Sequence, residues 1–380
     1  MKEVPWSMAC LITLVRLIIF LVAGGIVRSC LADDTPVAPV IGVLTQEVYK
    51  DGLISRHFEG ITSYIAASYV KYLEGAGARV VPIWIGRNRT YYDQLLDKIN
   101  GVLLPGGATW FNQSGGYADA GEYLIQGAME LNDRGIFMPI WGTCLGMELL
   151  IFKMANEVET RIDCRSQGQS LPLEFKSDYK DSRLFASASD NTINLHSKEN
   201  VTYNWHQFCY TEEDFSKYGL NESWRVMSVS HDWDNIEFIS TVEHRIYPFY
   251  GVQFHPEKPL YEFTKASIPH TSASILSGQY FANFFVNEAR RNLQKYSITV
   301  DSDLILIYNF KPEYTSVLGS SYIQQYLFSD ADMGIGDGDD DDDGTSYYPY
   351  PNNDSGAGTL FSPKTFYLFI ITFAVSRWLS

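Results

Sequence analysis

The segment Trp141-Gly142-Thr143-Cys144-Leu145-Gly146-Met147-Glu148 sets a cysteine between two glycines, in the pattern Gly-x-Cys-x-Gly, after an apolar run and before helix-forming residues. This is the spacing a nucleophile elbow needs: a crowded strand-to-helix turn whose flanking glycines leave room for the chain to present one side chain. The Leu145 N–H, at the start of the following helix, can meet a developing oxyanion. A helix N-terminus also favours thiolate, so the spacing predicts a lowered pKa for Cys144. The plain alternative is a buried structural cysteine, common for the residue type. Glycines on both sides favour the nucleophile.

A thiolate nucleophile needs an imidazole to handle its proton. His255 lies in Tyr250-Gly251-Val252-Gln253-Phe254-His255-Pro256-Glu257-Lys258, just after a predicted strand, with Glu257 two residues on to orient the ring. His206, in Asn204-Trp205-His206-Gln207, is the second candidate, while His57, His196, His231, His244 and His270 sit in polar or loop-like contexts and receive no role. Pro105-Gly106-Gly107 closes another strand and could turn backbone N–H groups toward a substrate oxygen. By itself it reads as well as an ordinary strand-ending turn. There is no C-x-x-C among the mature cysteines and no H-E-x-x-H, so the pattern implies no metal.

These motifs need a sheet to carry them. Residues 40–45 (VIGVLT), 78–85 (ARVVPIWI), 102–104 and 138–141 read as strands, with Pro82 arguing for a bend or an irregular edge. Residues 65–75, 91–99 and 117–133 show helical spacing between them. Residues 236–241 and 246–252 read as later, aromatic-rich strands. Such β-α-β order favours a mostly parallel sheet with helices on both faces, where ligand chemistry collects at the strand ends.

The chain has 380 residues, 46% of them hydrophobic and 19% charged, and a net charge of −16. That composition supports a large core. It also argues against a nucleic-acid partner, since no basic face can dominate. The ends read as addresses. Residues 1–32 form a signal peptide, with the apolar run 17–27 and small residues before a cut near Asp33. Residues 33–329 form the folded domain. Residues 330–358 form an acidic, glycine-rich linker, and residues 359–380 a hydrophobic tail laid out as a glycolipid-anchor signal or else a short apolar terminus. Asn88, Asn112, Asn200, Asn221 and Asn353 each open an N-x-S/T sequon, which fits glycosylation on a secretory route. The mature cysteines are Cys144, Cys164 and Cys209; the odd count leaves at least one thiol free, and Cys164 with Cys209 is one pairing open to it.

Pro-Gly-Gly, Gly-x-Cys-x-Gly and Gln-x-His-Pro-Glu, in that chain order, resemble the class I glutamine amidotransferase-like superfamily, with its flavodoxin-like single domain. Residues 64–74, 75–82, 99–107, 236–241 and 284–290 bring the resemblance closer to the γ-glutamyl hydrolase (folylpolyglutamate hydrolase) family within it, over residues 40–330. The resemblance implies a cysteine peptidase acting on γ-linked glutamate in folylpoly-γ-glutamates, without cofactor. In it Cys144 is the nucleophile, His255 the acid–base group, Glu257 an orienting carboxylate, and Gly107 and Leu145 the oxyanion donors. Tyr69, Glu148, His206 and Gln253 would surround the substrate. It also implies an extracellular, lysosomal or vacuolar protein, and allows a homodimer. Two other readings stay open: a glutaminase-type amidotransferase, and a surface-tethered binding protein that kept the fold without the activity.

Overall fold

The computed structural model describes residues 36–49, 52–295 and 306–332. The segment expected to be a signal peptide, the expected tail, Asn353 and all but the first residues of the expected acidic linker lie outside them.

Eight strands form the central sheet: β1 (Val40–Leu44), β2 (Arg79–Ile83), β3 (Gly101–Leu104), β4 (Ile140–Thr143), β5 (Glu174–Phe175), β6 (Trp224–His231), β7 (Glu237–His244) and β8 (Phe249–Val252). Their order is β2-β1-β3-β4-β8-β7-β6-β5. The first five are mutually parallel, and the last three add on antiparallel. All five residues of β1 are buried, as an apolar strand covered on both faces should be. Alternate residues feed two cores. Val40, Leu44, Val102, Leu104 and Ile140 pack with α2 (Arg89–Leu96), α3 (Tyr117–Asp133) and α4 (Leu145–Met154). Ile41, Val43, Leu103 and Trp141 pack with α1 (Ala67–Glu74) and α6 (Ser272–Arg290), α5 being the short helix Lys258–Tyr261. The mostly parallel sheet with helices on both faces is therefore as expected.

Two differences from the sequence reading have local causes, and one expectation, Pro82 at an edge, fits. The helical spacing at 65–75 starts only at Ala67, because Ile61–Ala66 is recruited as a strand by Gln325–Ser329. The fourth strand begins at Ile140, where Gly101–Leu104 offers it a partner. Pro82 sits in β2, at the edge of the sheet, where its missing N–H costs no ladder bond.

A second, antiparallel sheet joins Pro312–Glu313, Gln325–Ser329, Ile61–Ala66 and Gln46–Glu47. Beyond its last strand, Asp330 accepts a hydrogen bond from Thr62 Oγ1 and Asp332 one from the Ser329 N–H. Cys164 and Cys209 form a disulfide, their Cα atoms 5.7 Å apart, and Cys144 is the free cysteine among the described residues.

Register brings the three motifs together. Leu104 of β3 and Gly251 of β8 both pair with Gly142 of β4. The Pro105 turn, Cys144 and the Gln253–Glu257 segment therefore leave three adjacent parallel strands at the same end. The Cys144 N–H donates to Val252 O at 2.7 Å, tying the second motif to the third.

Candidate active site

Cys144 caps the N-terminus of α4 with φ 51° and ψ −110°, a left-handed backbone that a side chain rarely adopts. The turn is held by contact. A Cβ on Gly142 would fall 2.6 Å from the Gly146 carbonyl, and one on Gly146 would fall 2.0 Å from Leu104 O. Only glycine lets helix, elbow and sheet approach so closely.

His255 lies beyond the end of β8, its N–H donating to Tyr203 O at 2.7 Å. Its Nδ1–H donates to Glu257 Oε1 at 2.8 Å, which leaves Nε2 free to take a proton. A Cβ built on Gly106 would lie 2.7 Å from His255 Cε1 and 3.1 Å from Cys144 Cβ. The imidazole edge, the Tyr69 hydroxyl and the Cys144 Cβ thus all crowd one glycine, where a methyl group would not fit. The Gly106 N–H is taken by Tyr69 Oη at 2.9 Å, and that hydroxyl lies 3.4 Å from His255 Nδ1. Tyr69 is both buried core and part of the site. Gly107 stands against Gln46, whose Nε2 donates to Pro105 O and Gly106 O at 3.3 Å each. The Leu145 N–H favours the Cys144 anion.

A wider ring of polar groups faces the sulfur. Gln253 Nε2 lies 3.8 Å from Cys144 Sγ and donates to Glu148 Oε1 at 3.0 Å. Glu148 Oε2 accepts from Arg161 Nη1 at 2.8 Å, and Arg161 also reaches Glu159 at 2.6 Å. The guanidinium stacks on Phe111, 4.5 Å from the ring centroid. The thiol points its weak donor at Trp205 O, 4.0 Å away. His206 donates Nδ1–H to Phe208 O at 3.0 Å. Glu257 Oε2, Gln253 Oε1 and His206 Nε2 are buried with no hydrogen-bond partner among the described residues. Buried acceptors are usually paired; these three have capacity to accept a further hydrogen bond.

Electrostatics overturn one expectation. Burial, and then the charge of Glu148, push the Cys144 thiol well above its ordinary value, despite the opposing Leu145 N–H. The resting group is a thiol. Burial also lowers His255, against the raising influence of Glu257, so the pair rests as thiol and neutral imidazole. His206 is pushed down to about 3 by burial and stays neutral. Burial raises Glu148, and Arg161 opposes it.

All nine site residues named from sequence gather at this strand end. Asn88, Asn112, Asn200 and Asn221 are exposed, away from the core. Arg161 was not anticipated; no motif marks it, and only the fold brings it to Glu148.

The peptidase C26 profile matches residues 39–257. The chain is 37% identical over 293 residues to the gamma-glutamyl hydrolase of Rattus norvegicus, covering 77% of this chain and 90% of that one. It is 36% identical over 298 residues to the Homo sapiens protein of the same name, covering 78% and 91%. It is also 32% identical over 339 residues to gamma-glutamyl hydrolase B of Dictyostelium discoideum, covering 88% and 90%. Among solved structures, a glutamine amidotransferase from Methylobacillus flagellatus aligns with 69% of this chain and 94% of its own, at 12% identity and a TM-score of 0.34. The profile match takes in the elbow, Glu148, His206, His255 and Glu257, and on it this chain belongs to the peptidase C26 family.

Proposed function

We infer that the protein is a cysteine-type hydrolase of γ-glutamyl bonds, acting on folylpoly-γ-glutamates through a thioester on Cys144. The observation that carries this reading is the buried Cys144–His255–Glu257 arrangement at the ends of β4 and β8, in a chain whose relatives carry that activity in their names. His255 Nε2 takes the Sγ proton as sulfur bonds to the γ-carbonyl carbon. The carbonyl oxygen becomes an oxyanion, for which the Leu145 and Gly107 N–H groups are the donors. When the tetrahedral centre collapses, the imidazolium gives its proton to the departing amine. Water, deprotonated by the same imidazole, then attacks the thioester, and Cys144 leaves as the thiol. Glu257 holds the ring with Nε2 toward the sulfur and stabilises the imidazolium in between.

Cys144→Ala tests this. The variant should keep its melting temperature and lose γ-glutamyl hydrolysis to background; turnover at the wild-type rate would remove the mechanism.

The same reading extends to the setting. A disulfide and four exposed sequons support synthesis on the secretory route, toward the cell exterior or a lysosomal or vacuolar compartment. Peptide N-glycosidase treatment of protein from its native source should lower its mass by several glycans, and an unchanged mass would count against that route.

A further inference from the structure

A poly-γ-glutamate chain keeps a free α-carboxylate on every residue, two methylenes from the scissile carbonyl. An α-linked peptide uses that carboxylate in its bond. A site selective for the γ linkage therefore gains from a cation at a fixed, short distance from its nucleophile. The protein has a net charge of −16, so that cation has to be local.

Arg161 is already engaged by two carboxylates. Lys258 is not. It follows His255 by three residues, opens α5, and donates its backbone N–H to His255 O at 3.4 Å. The residue is only 7% exposed. Its Nζ lies over the Tyr322 ring, 4.9 Å from the centroid, and makes no hydrogen bond or ion pair among the described residues. Glu262, which feels its charge, is committed to the Ile323 N–H at 2.7 Å. From the ammonium, contacts run back to the catalytic turn. Tyr322 meets Tyr64 at 6.3 Å between centroids, the Tyr64 hydroxyl donates to Gln46 at 3.1 Å, and Gln46 holds the Pro105 and Gly106 carbonyls. The Lys258 charge also reaches the thiol and the imidazole, favouring the thiolate of one and the neutral form of the other. Glu262 offsets part of that charge, but no carboxylate among the described residues bonds the ammonium; a buried ammonium so placed is costly, and a ligand that brings a bonding carboxylate lowers that cost.

We propose that Lys258 is the receptor for the α-carboxylate of the γ-glutamyl residue whose carbonyl Cys144 attacks, and so a determinant of γ over α linkage. This rests on the hydrolase reading above. It adds a residue that distinguishes the two linkages by charge, where Cys144 and His255 serve any acyl transfer.

The test uses the full chain and two substrates that differ in one group: a γ-glutamyl anilide with a free α-carboxylate, and its α-carboxamide. Wild type should favour the carboxylate in kcat/KM by about 10- to 100-fold, the range for one hydrogen bond to a charged group, chiefly through KM. Lys258→Met should bring the ratio close to one, and Lys258→Arg should restore part of it. Lys258→Gln, of similar length and polarity, gives the same reading where the methionine variant fails to fold. A ratio unchanged in the variants overturns the proposal. So does a wild type that cleaves both substrates equally well. A wild type that cleaves neither overturns the hydrolase reading itself, and the proposal with it.

Discussion

At Cys144 two influences oppose each other. The helix N-terminus and the Leu145 N–H favour thiolate, while burial and Glu148 favour thiol, and burial prevails. The elbow could be read from Gly-x-Cys-x-Gly, but burial belongs to the finished fold, so the sign of the pKa shift could not. Activity then depends on a neutral His255. Its value lies below the ordinary 6.5 or so; the neutral imidazole, and with it the activity, persists below that pH and fails only when acid protonates the ring. We expect the acid limb of kcat/KM to fall below pH 6.5, and a limb above it would contradict this account. Glu257 raises His255, so Glu257→Gln should move the limb to lower pH still. It should also cut kcat by about 100-fold or more, since an amide can turn the ring to the wrong tautomer. Arg161→Met leaves Glu148 buried without its cation. The carboxyl should then protonate more readily, KM should rise, and stability should fall by about 3 kcal/mol, as for breaking a buried ion pair. Steady-state kinetics with thermal melting reads both, and unchanged KM and melting would remove Arg161 from the site.

At the scale of elements, the elbow is a packing problem between α4 and β3. In Gly146→Ala the added methyl meets the Leu104 carbonyl, a backbone atom that cannot swing away. We expect about 1–3 kcal/mol of lost stability from the overpacking, and slower alkylation of Cys144 by iodoacetamide as the turn shifts; a variant matching wild type in both would show that the approach is looser than described. The strands β1, β2, β3 and β8 were legible as short continuous apolar runs bounded by turn residues, and helix α3 by its helical apolar spacing. The second sheet was not. Gln46–Glu47 has two residues, and Ile61–Ala66 finds its partner in Gln325–Ser329, some 260 residues away. No local pattern records that pairing, yet it positions Gln46 behind the Gly106–Gly107 turn and Tyr64 beside Tyr322.

Over the whole molecule, register brings the three motifs together: three neighbouring parallel strands end together and deliver turn, nucleophile and base. The order of the three motifs along the chain made that assembly legible. In the polar ring around the sulfur, Glu148 and Gln253 were legible within the motifs and His206 as a second histidine beside an aromatic, whereas Arg161 came from outside. The Cys164–Cys209 disulfide closes a 45-residue separation, for which loop-closure entropy gives about 4 kcal/mol. Mild reduction should therefore lower the melting temperature while leaving Cys144 and turnover intact in the folded protein. The central claim is that Cys144 carries the acyl group. Acid-quenched mass spectrometry of the protein turning over a γ-glutamyl substrate tests it most directly. The account predicts a γ-glutamyl adduct on the peptide containing Cys144, absent in Cys144→Ala; an adduct on another residue, or turnover that survives in that variant, would contradict it.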